Sequence, residues 1–487
     1  MTDFDVANPP GTLTARLTTN TIVQAVGGAL TAVLGFFTFV AITRGLGPEA
    51  FGDFTAAMAF LFIPVAVADV GLSAAVLREI SIDPSRTETA VRASIPFRVL
   101  ISAGVLAAAV GVGVAMPFDE RTTTAVLIGS LGSFLTVMTL ALTPVLQAQL
   151  RMQWAIGGHI AGRIVTLGAT LIALGADLGF KGVVVAYVVG LAVAFVIHAI
   201  GVARVISLKP VMDTSYWRSL FVGSLVLGLA IAISQVYFRV DALLIALIRS
   251  PEEVGLYGAA YKFIELAQFF AAAVAVSMFP ALANFIASGD ERAGELVQKA
   301  FDVLMAGAVF TAIVMLAFPE EIITFTAGSE FRDAAPALQL LAPWALFGFA
   351  GSMLWRVLLA SSRDNALLAS AAGVLAANVA LNLALVPRYG FKAAAVVSVV
   401  SEAAVLVPVA VLIHRDGLLP GLRYLPTIVA AGAALAAIFW LAPGPAAVVA
   451  AVGTAVYAAL LLAAPGAVRE AAASVLPRRV RLLGSRS

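Results

Sequence analysis

The sequence predicts an all-α integral membrane protein with about 14 transmembrane helices. The chain has 487 residues and is 61% hydrophobic and 12% charged. Soluble proteins are only about 45–50% apolar and about 25% charged. Apolar runs of about 20 residues, each long enough to cross a bilayer, recur along the entire chain. Because the hydrocarbon core offers backbone groups no hydrogen-bond partner, runs of this length should form helices.

Charged and Pro/Gly-rich breaks separate the apolar runs and define each predicted helix. Residues 1–19 form a polar N-terminal tail, and residues 465–487 form a basic C-terminal tail. The connections are too short to hold a soluble domain. In chain order, the predicted spans are 20–42, 54–76, 95–117, 122–147, 154–175, 182–203, 219–247, 255–285, 299–318, 334–359, 365–386, 393–413, 422–442 and 445–464.

The distribution of Lys and Arg predicts the orientation of these spans. With the N-terminus inside, twenty of the 30 Lys and Arg residues fall on the cytoplasmic side, seven fall on the opposite side and three lie within spans. This excess agrees with the positive-inside rule. We therefore expect a multi-pass protein of the cell membrane with both termini in the cytoplasm and an even number of spans.

Several chemistries are excluded or disfavoured by the residues that are present. The chain has no cysteine, which excludes disulfides and thiolate sites. His159, His198 and His414 are far apart in the sequence and show no metal-ligand spacing. The net charge of +2 does not suggest a nucleic-acid partner. No Gly-Lys-Ser/Thr phosphate loop is present, so ATP hydrolysis is not the expected energy source. We expect no cofactor, no bound metal and no catalytic residues.

An internal repeat predicts two similar halves. The segments 48–60 and 251–263 share six of thirteen residues, including a Pro-Glu-x-x-Gly turn. A Gly-Phe-Lys motif at 179–181 recurs at 390–392. Each pair is six predicted spans apart, and an even number of spans keeps both copies in the same orientation. The expected architecture is two parallel six-helix lobes, the arrangement of two-half transporters. The predicted boundaries are 20–206 for the N-lobe, 207–414 for the C-lobe and 415–464 for two additional spans.

Three segments resemble a known family. These are 44–52 with 68–72 and Arg78-Glu79, then 238–244 leading into 251–262, and finally 378–390. Together they resemble the polysaccharide-biosynthesis flippases, which include O-antigen and lipid-linked oligosaccharide flippases, of the multidrug/oligosaccharidyl-lipid/polysaccharide exporter superfamily. The resemblance extends over nearly the whole chain. It implies translocation of a polyprenyl-linked glycan from the cytoplasmic to the outer leaflet.

Ionisable residues inside spans are costly and are therefore candidates for function. Arg239 and Asp241 lie on span seven, and Lys262 and Glu265 lie on span eight, at similar distances from the outer turn. Counting along the two helices places Asp241 level with Lys262 and Arg239 level with Glu265. One interpretation is a permanent group of four charges that fixes the hairpin. The other is that Arg239 or Lys262 binds a substrate phosphate while a carboxylate holds it when the site is empty.

Further candidates lie in the first half of the chain. Arg163 is a single cation within span five, and either a structural pair with Asp69 or contact with substrate would explain it. Arg78 and Arg98 lie near cytoplasmic ends, where a side chain can also extend to the interface. With Arg163 and Arg239 they would form a cationic path toward the midplane. Arginine suits this role because its planar group binds phosphate through two hydrogen bonds.

The predicted function is a flippase for a polyprenyl-(pyro)phosphate-linked oligosaccharide, working by alternating access. A cation-coupled multidrug exporter of the same superfamily is the alternative, and it would favour an acidic cavity. An integral-membrane glycosyltransferase is disfavoured, because the loops are short and carry no acidic motif. The expected partners are the lipid-linked oligosaccharide, membrane lipid and the glycosyltransferases or polymerase of the same pathway.

Overall fold

A computed structural model describes residues 10–360, 364–442 and 445–463. Only the backbone is described at 10–22, 25, 226–227, 230, 280 and 364–367. The described chain is helical. The predicted N-terminal tail lies partly, and the basic tail 465–487 wholly, outside the described residues. Eleven of the described helices are long and apolar enough to cross a membrane, or twelve if one bent pair is counted as a single span. The protein is a multi-pass membrane protein.

The chain divides into two compact units, Met1–Gly258 with Val386–Gly390, and Ala259–Leu385 with Phe391–Ser487. These units reflect contacts within the folded chain. The predicted boundary between lobes at 206/207 reflects the sequence repeat, and it stays a prediction.

The first unit is built from seven helices and the first turns of an eighth. They are α1 (Pro10–Asp69), α2 (Leu72–Ile82), α3 (Thr87–Ala115), α4 (Glu120–Ala148), α5 (Met152–Gly175), α6 (Gly179–Ala203), α7 (Thr214–Ile248) and the start of α8 (Pro251–Ser288). Helix α1 packs against α4, α5 and α7, while α5 packs against α6. Buried apolar residues such as Val91, Val145 and Leu146 form the core between these helices.

Helix α1 covers most of the first two predicted spans and consists of two helical segments joined at a kink, which agrees with the separate helices we expected. Its axis breaks at Gly47, where φ is 74° and ψ is 176°. Pro48 follows and starts the next helical segment, a position at which its missing N–H costs nothing. The segment that begins at Pro48 ends at Asp69, and Gly71, with φ of 78°, precedes α2. The turn between α1 and α2 therefore interrupts the predicted second span, 54–76.

The second unit contains the rest of α8 and the helices that follow it. These are α9 (Arg292–Ala317), α10 (Pro319–Thr326), α11 (Ala335–Leu341), α12 (Trp344–Ala360), α13 (Asp364–Tyr389), α14 (Phe391–Arg415), α15 (Leu425–Leu441) and α16 (Ala446–Ala463). The last four residues of α13 belong to the first unit. Tyr457 ties α16 to α9, because its hydroxyl donates to the carbonyl of Ala306 at 2.8 Å. The predicted span 334–359 is bent by 56° between α11 and α12, where Pro343 interrupts the helix.

Candidate functional site

Asp69 and Arg98 form an ion pair in the first unit. Arg98 Nη1 donates to Asp69 Oδ1 at 2.9 Å and lies 3.2 Å from Ser73 Oγ. The Arg98 side chain is 0% exposed and that of Asp69 is 20% exposed. Within the described residues, Nε and Nη2 of Arg98 have no hydrogen-bond partner. The pair therefore joins α3 to the end of α1, and Arg98 depends on Asp69 for most of its polar contact.

This arrangement corrects two expectations. The side chain of Arg98 does not extend to a membrane interface, because it is fully buried against Asp69. Among the described residues, the partners of the Asp69 carboxylate are Arg98 and the Ser73 hydroxyl, and Arg163 forms no ion pair with it. Arg78 is exposed on α2.

Arg163 lies at the middle of α5, and its side chain is exposed. Helices α1 and α5 run parallel, with Gly27 next to Ile156 and Gly45 next to Leu174. Between these contacts, a Cβ built on Gly35 would lie 3.9 Å from the Arg163 guanidinium. Within the described residues, Arg163 forms no hydrogen bond or ion pair. Among the described residues, this guanidinium halfway along an apolar helix thus has no protein counter-charge.

Arg239 and Asp241 have different surroundings on α7. The Arg239 guanidinium lies 5.4 Å from the ring centroid of Phe62, a cation–π contact with α1. Asp241 is only 5% exposed and accepts a hydrogen bond from the Tyr257 hydroxyl at 3.1 Å. Their separation of two residues directs them apart on the helix, as expected.

Lys262 and Glu265 pair along α8. Lys262 Nζ lies 2.7 Å from Glu265 Oε2, and both side chains are a little over a quarter exposed. The carboxylate therefore holds this cation in the structure. The expected alignment of Asp241 with Lys262, and of Arg239 with Glu265, stays a prediction.

Two histidines that are distant in sequence meet in the first unit. The rings of His159 on α5 and His198 on α6 contact edge to face, with centroids 4.9 Å apart. His198 is buried, and its Nδ1–H donates to the carbonyl of Ala194 at 2.7 Å. His159 and His198 are therefore close in space, although they are far apart in the sequence. Among the described residues, no third ligand completes a metal site.

The fold is similar to solved membrane transporters. The lipid II flippase MurJ in an inward closed conformation has a TM-score of 0.75 at 14% identity, and the match covers 91% of this chain and 98% of that one. An inward-facing multidrug resistance MATE family transporter of the MOP superfamily has a TM-score of 0.64 at 15% identity. That match covers 82% of this chain and 98% of the transporter. These likenesses show a shared fold.

A curated relative is the "Probable low-salt glycan biosynthesis flippase Agl15" of Haloferax volcanii. It is 25% identical over 402 residues, which are 80% of this chain and 81% of the relative. Residues 227–384 match the MatE family. Residues 17–286, more than half of the chain, match the family described as Polysaccharide biosynthesis protein. The chain therefore belongs to the polysaccharide biosynthesis protein family.

Proposed function

We propose that this protein is a flippase that moves a polyprenyl-(pyro)phosphate-linked oligosaccharide from the cytoplasmic to the outer leaflet by alternating access. The product would serve assembly of a cell-surface polysaccharide or glycoprotein. The observation that carries the proposal is the exposed guanidinium of Arg163, which lacks a protein partner among the described residues. The family match and the glycan flippase of Haloferax volcanii support it.

The argument rests on the cost of an uncompensated charge. A cation in the middle of a span costs several kcal/mol or more unless a partner or water compensates it. Phosphate is a suitable partner, because its oxygens match the planar donors of arginine. The Gly35 backbone leaves space beside the guanidinium that a larger side chain would occupy. A lipid-linked phosphate is therefore the ligand that best compensates Arg163.

The other candidate cations differ in how readily each could bind a substrate phosphate. Arg239 lies over an aromatic ring, and Lys262 is held by a carboxylate, so substrate phosphate would compete for each of them. Arg78 is exposed, and we propose that it contributes to capture near the cytoplasmic end. Arg98 and Asp69 are proposed to act indirectly, by holding the end of α1 in place.

We also propose fourteen spans with both termini in the cytoplasm. Within the part of the chain that the structure describes, eleven helices and one bent pair are apolar enough to cross a membrane. The shorter helix Leu425–Leu441 and a second crossing within the broken segment Val26–Ile82 would bring the number to fourteen. Glycosyltransferases or a polymerase of the same pathway are the proposed partners.

A cation-coupled multidrug exporter is the second candidate, favoured by the MatE match and by the MATE structures with the same fold. A positively charged drug would need an unpaired carboxylate. In the described structure, Asp69 and Glu265 each already hold a cation. This pairing favours the phosphate-bearing substrate.

Transport in reconstituted vesicles tests the proposal. The vesicles contain a fluorescent polyprenyl-pyrophosphate disaccharide, and a membrane-impermeant quencher reports its leaflet. We expect Arg163→Ala to lower the transport rate by about tenfold or more, as for loss of one charged contact. Arg163→Lys should retain part of the rate, because it keeps the charge but loses the two-donor geometry.

Arg332→Ala is the matched control, because its side chain is 69% exposed and lies outside the proposed spans. It should leave the rate unchanged. Wild-type transport by a correctly inserted Arg163→Ala variant would contradict the proposal, and so would equal losses for Arg163→Ala and Arg332→Ala.

A further inference from the structure

The two Pro-Glu-x-x-Gly turns of the sequence repeat contact each other directly. A Cβ built on Gly52 would overlap the carbonyl oxygen of Pro251 and lie 2.9 Å from the Gly255 nitrogen. Conversely, a Cβ on Gly255 would overlap the Pro48 carbonyl oxygen and lie 3.2 Å from the Gly52 nitrogen. The contact is reciprocal, since the glycine of each turn lies on the proline carbonyl of the other. We name these four residues the outer latch.

A second glycine contact lies at the other end of the helical segment that begins at Pro48 and ends at Asp69. A Cβ on Gly228 of α7 would overlap the carbonyl oxygen of Val70 and lie 2.8 Å from the Gly71 nitrogen. A Cβ on Gly71 would lie 2.9 Å from the Gly228 nitrogen. We name Val70, Gly71 and Gly228 the inner latch. Both latches lie within the first unit, and both are closed in this structure.

The spacing of the latches matches the thickness of a membrane. Gly52 and Gly71 are 19 residues apart, which corresponds to about 28 Å along a helix. The hydrocarbon core is about 30 Å thick. On the proposed topology, the two latches therefore lie at opposite ends of the segment between Pro48 and Gly71, on opposite sides of the membrane.

Helix propensity does not explain the glycines at these positions. Gly52, Gly228 and Gly255 lie inside helices, where alanine is the more favourable residue. Each permits backbone to approach backbone at a distance that excludes a methyl group. Their shared property is this close contact, which a single added methyl group would disrupt.

We propose that the outer and inner latches are the two gates of the transport cycle, and that each gate closes through glycine packed on an opposing backbone carbonyl. The inference rests on the alternating access of the proposed function. In each cycle one latch opens while the other stays closed. A methyl group in one latch therefore acts as a wedge that favours the state in which that side is open.

Distances between spin labels test this inference. The chain has no cysteine, so labels are placed without removing native residues. Exposed Glu49 and Glu252 report the outer latch, and exposed Ile82 and Val222 report the inner latch. The wedges are Gly255→Ala and Gly228→Ala. Gly223→Ala is the matched control, because it lies on the same helix as Gly228 and a Cβ there meets nothing within 4 Å.

Opposite shifts are expected from the two wedges. Gly255→Ala should lower the ratio of short to long outer distances by about tenfold, which corresponds to about 1.4 kcal/mol, and leave the inner pair short. Gly228→Ala should do the reverse, and Gly223→Ala should match the wild type. Gly52→Ala should reproduce Gly255→Ala, which gives the outer test a second variant if one fails to fold. Wild-type distance distributions in the folded wedge variants would overturn the inference.

The distances are measured without substrate, so the inference and the proposed function can fail separately. Opposite shifts without transport of the lipid-linked disaccharide would support the latches as gates and reject the disaccharide as the substrate. Transport by the wild type with unshifted distances in both wedge variants would reject the latches alone.

Discussion

Removal of Asp69 is predicted to destabilise the protein more than removal of Arg98. Arg98 is 0% exposed, and its described polar contacts are with Asp69 Oδ1 and Ser73 Oγ. Loss of one partner from a buried pair costs about 3–5 kcal/mol, because the remaining charge stays buried. We therefore expect Asp69→Ala to lower the free energy of unfolding by about this amount.

Removal of Arg98 should lower the free energy of unfolding by less than removal of Asp69. Asp69 is 20% exposed and also accepts a hydrogen bond from the Ser73 hydroxyl at 2.5 Å. In Arg98→Met the carboxylate is thus left partly hydrated and hydrogen-bonded, at a cost of about 1–3 kcal/mol. The double variant Asp69→Leu/Arg98→Met should be more stable than Asp69→Ala, because no buried charge is left unpaired.

Reversible unfolding in lipid bicelles measures these free energies. Arg332→Ala is the control, since its exposed pair with Glu320 should contribute less than about 1 kcal/mol. Equal and small losses for both single variants would refute a buried structural pair. Loss of transport by Asp69→Ala at unchanged stability would instead indicate that Asp69 contacts substrate.

Three further predictions concern topology, packing and pH. Cysteines introduced at Ser329 and Ser487 should react with an impermeant thiol reagent from outside and inside the cell respectively; external labelling at Ser487 would refute the orientation. Gly190→Ala should cost about 1–3 kcal/mol of unfolding free energy by overpacking, because its Cβ would overlap the Thr166 hydroxyl, whereas Gly168→Ala meets nothing within 4 Å and should not. The Ser215 hydroxyl and then the Tyr216 N–H hold the pKa of Asp213 below its usual value, so this cap stabilises the first turn of α7 above a pH of about 4 and is lost as the pH falls through the lowered pKa. Hydrogen exchange at α7 should therefore accelerate in Asp213→Ala at neutral pH and converge with the wild type in acid, and equal protection at neutral pH would contradict it.

The membrane architecture was largely predictable from the sequence, because apolar run length reports directly on membrane crossing. The break at Gly47 has a local signal, since glycine followed by Pro-Glu marks a left-handed residue before a helix start. The bend between α11 and α12 was missed, because an apolar run that contains Pro343 has the composition of a straight span.

The partners of buried charges were harder to predict. Depth in the membrane suggested Arg163 as a partner for Asp69, but depth alone does not determine which helices are neighbours. Counting residues in both directions from a turn would have predicted these neighbours better. Asp69 and Arg98 lie about a dozen residues on either side of the turn at 83–86, and His159 and His198 lie about eighteen residues on either side of the turn at 176–178.

The glycine contacts had only a partial signal in the sequence. The repeated Pro-Glu-x-x-Gly turn identified Gly52 and Gly255 as equivalent positions, yet equivalence does not imply contact. Gly228 has no motif around it, and its role emerges only from the backbone of the turn at Val70 and Gly71.

The central claim is tested most directly by offering two substrates to one preparation of wild-type vesicles. One is the fluorescent polyprenyl-pyrophosphate disaccharide, and the other is a cationic dye such as ethidium, supplied with proton or sodium gradients. A lipid-linked glycan flippase should move the disaccharide between leaflets and leave the dye distribution unchanged. Gradient-dependent movement of the dye, with the disaccharide confined to its starting leaflet, would contradict the account and indicate a multidrug exporter.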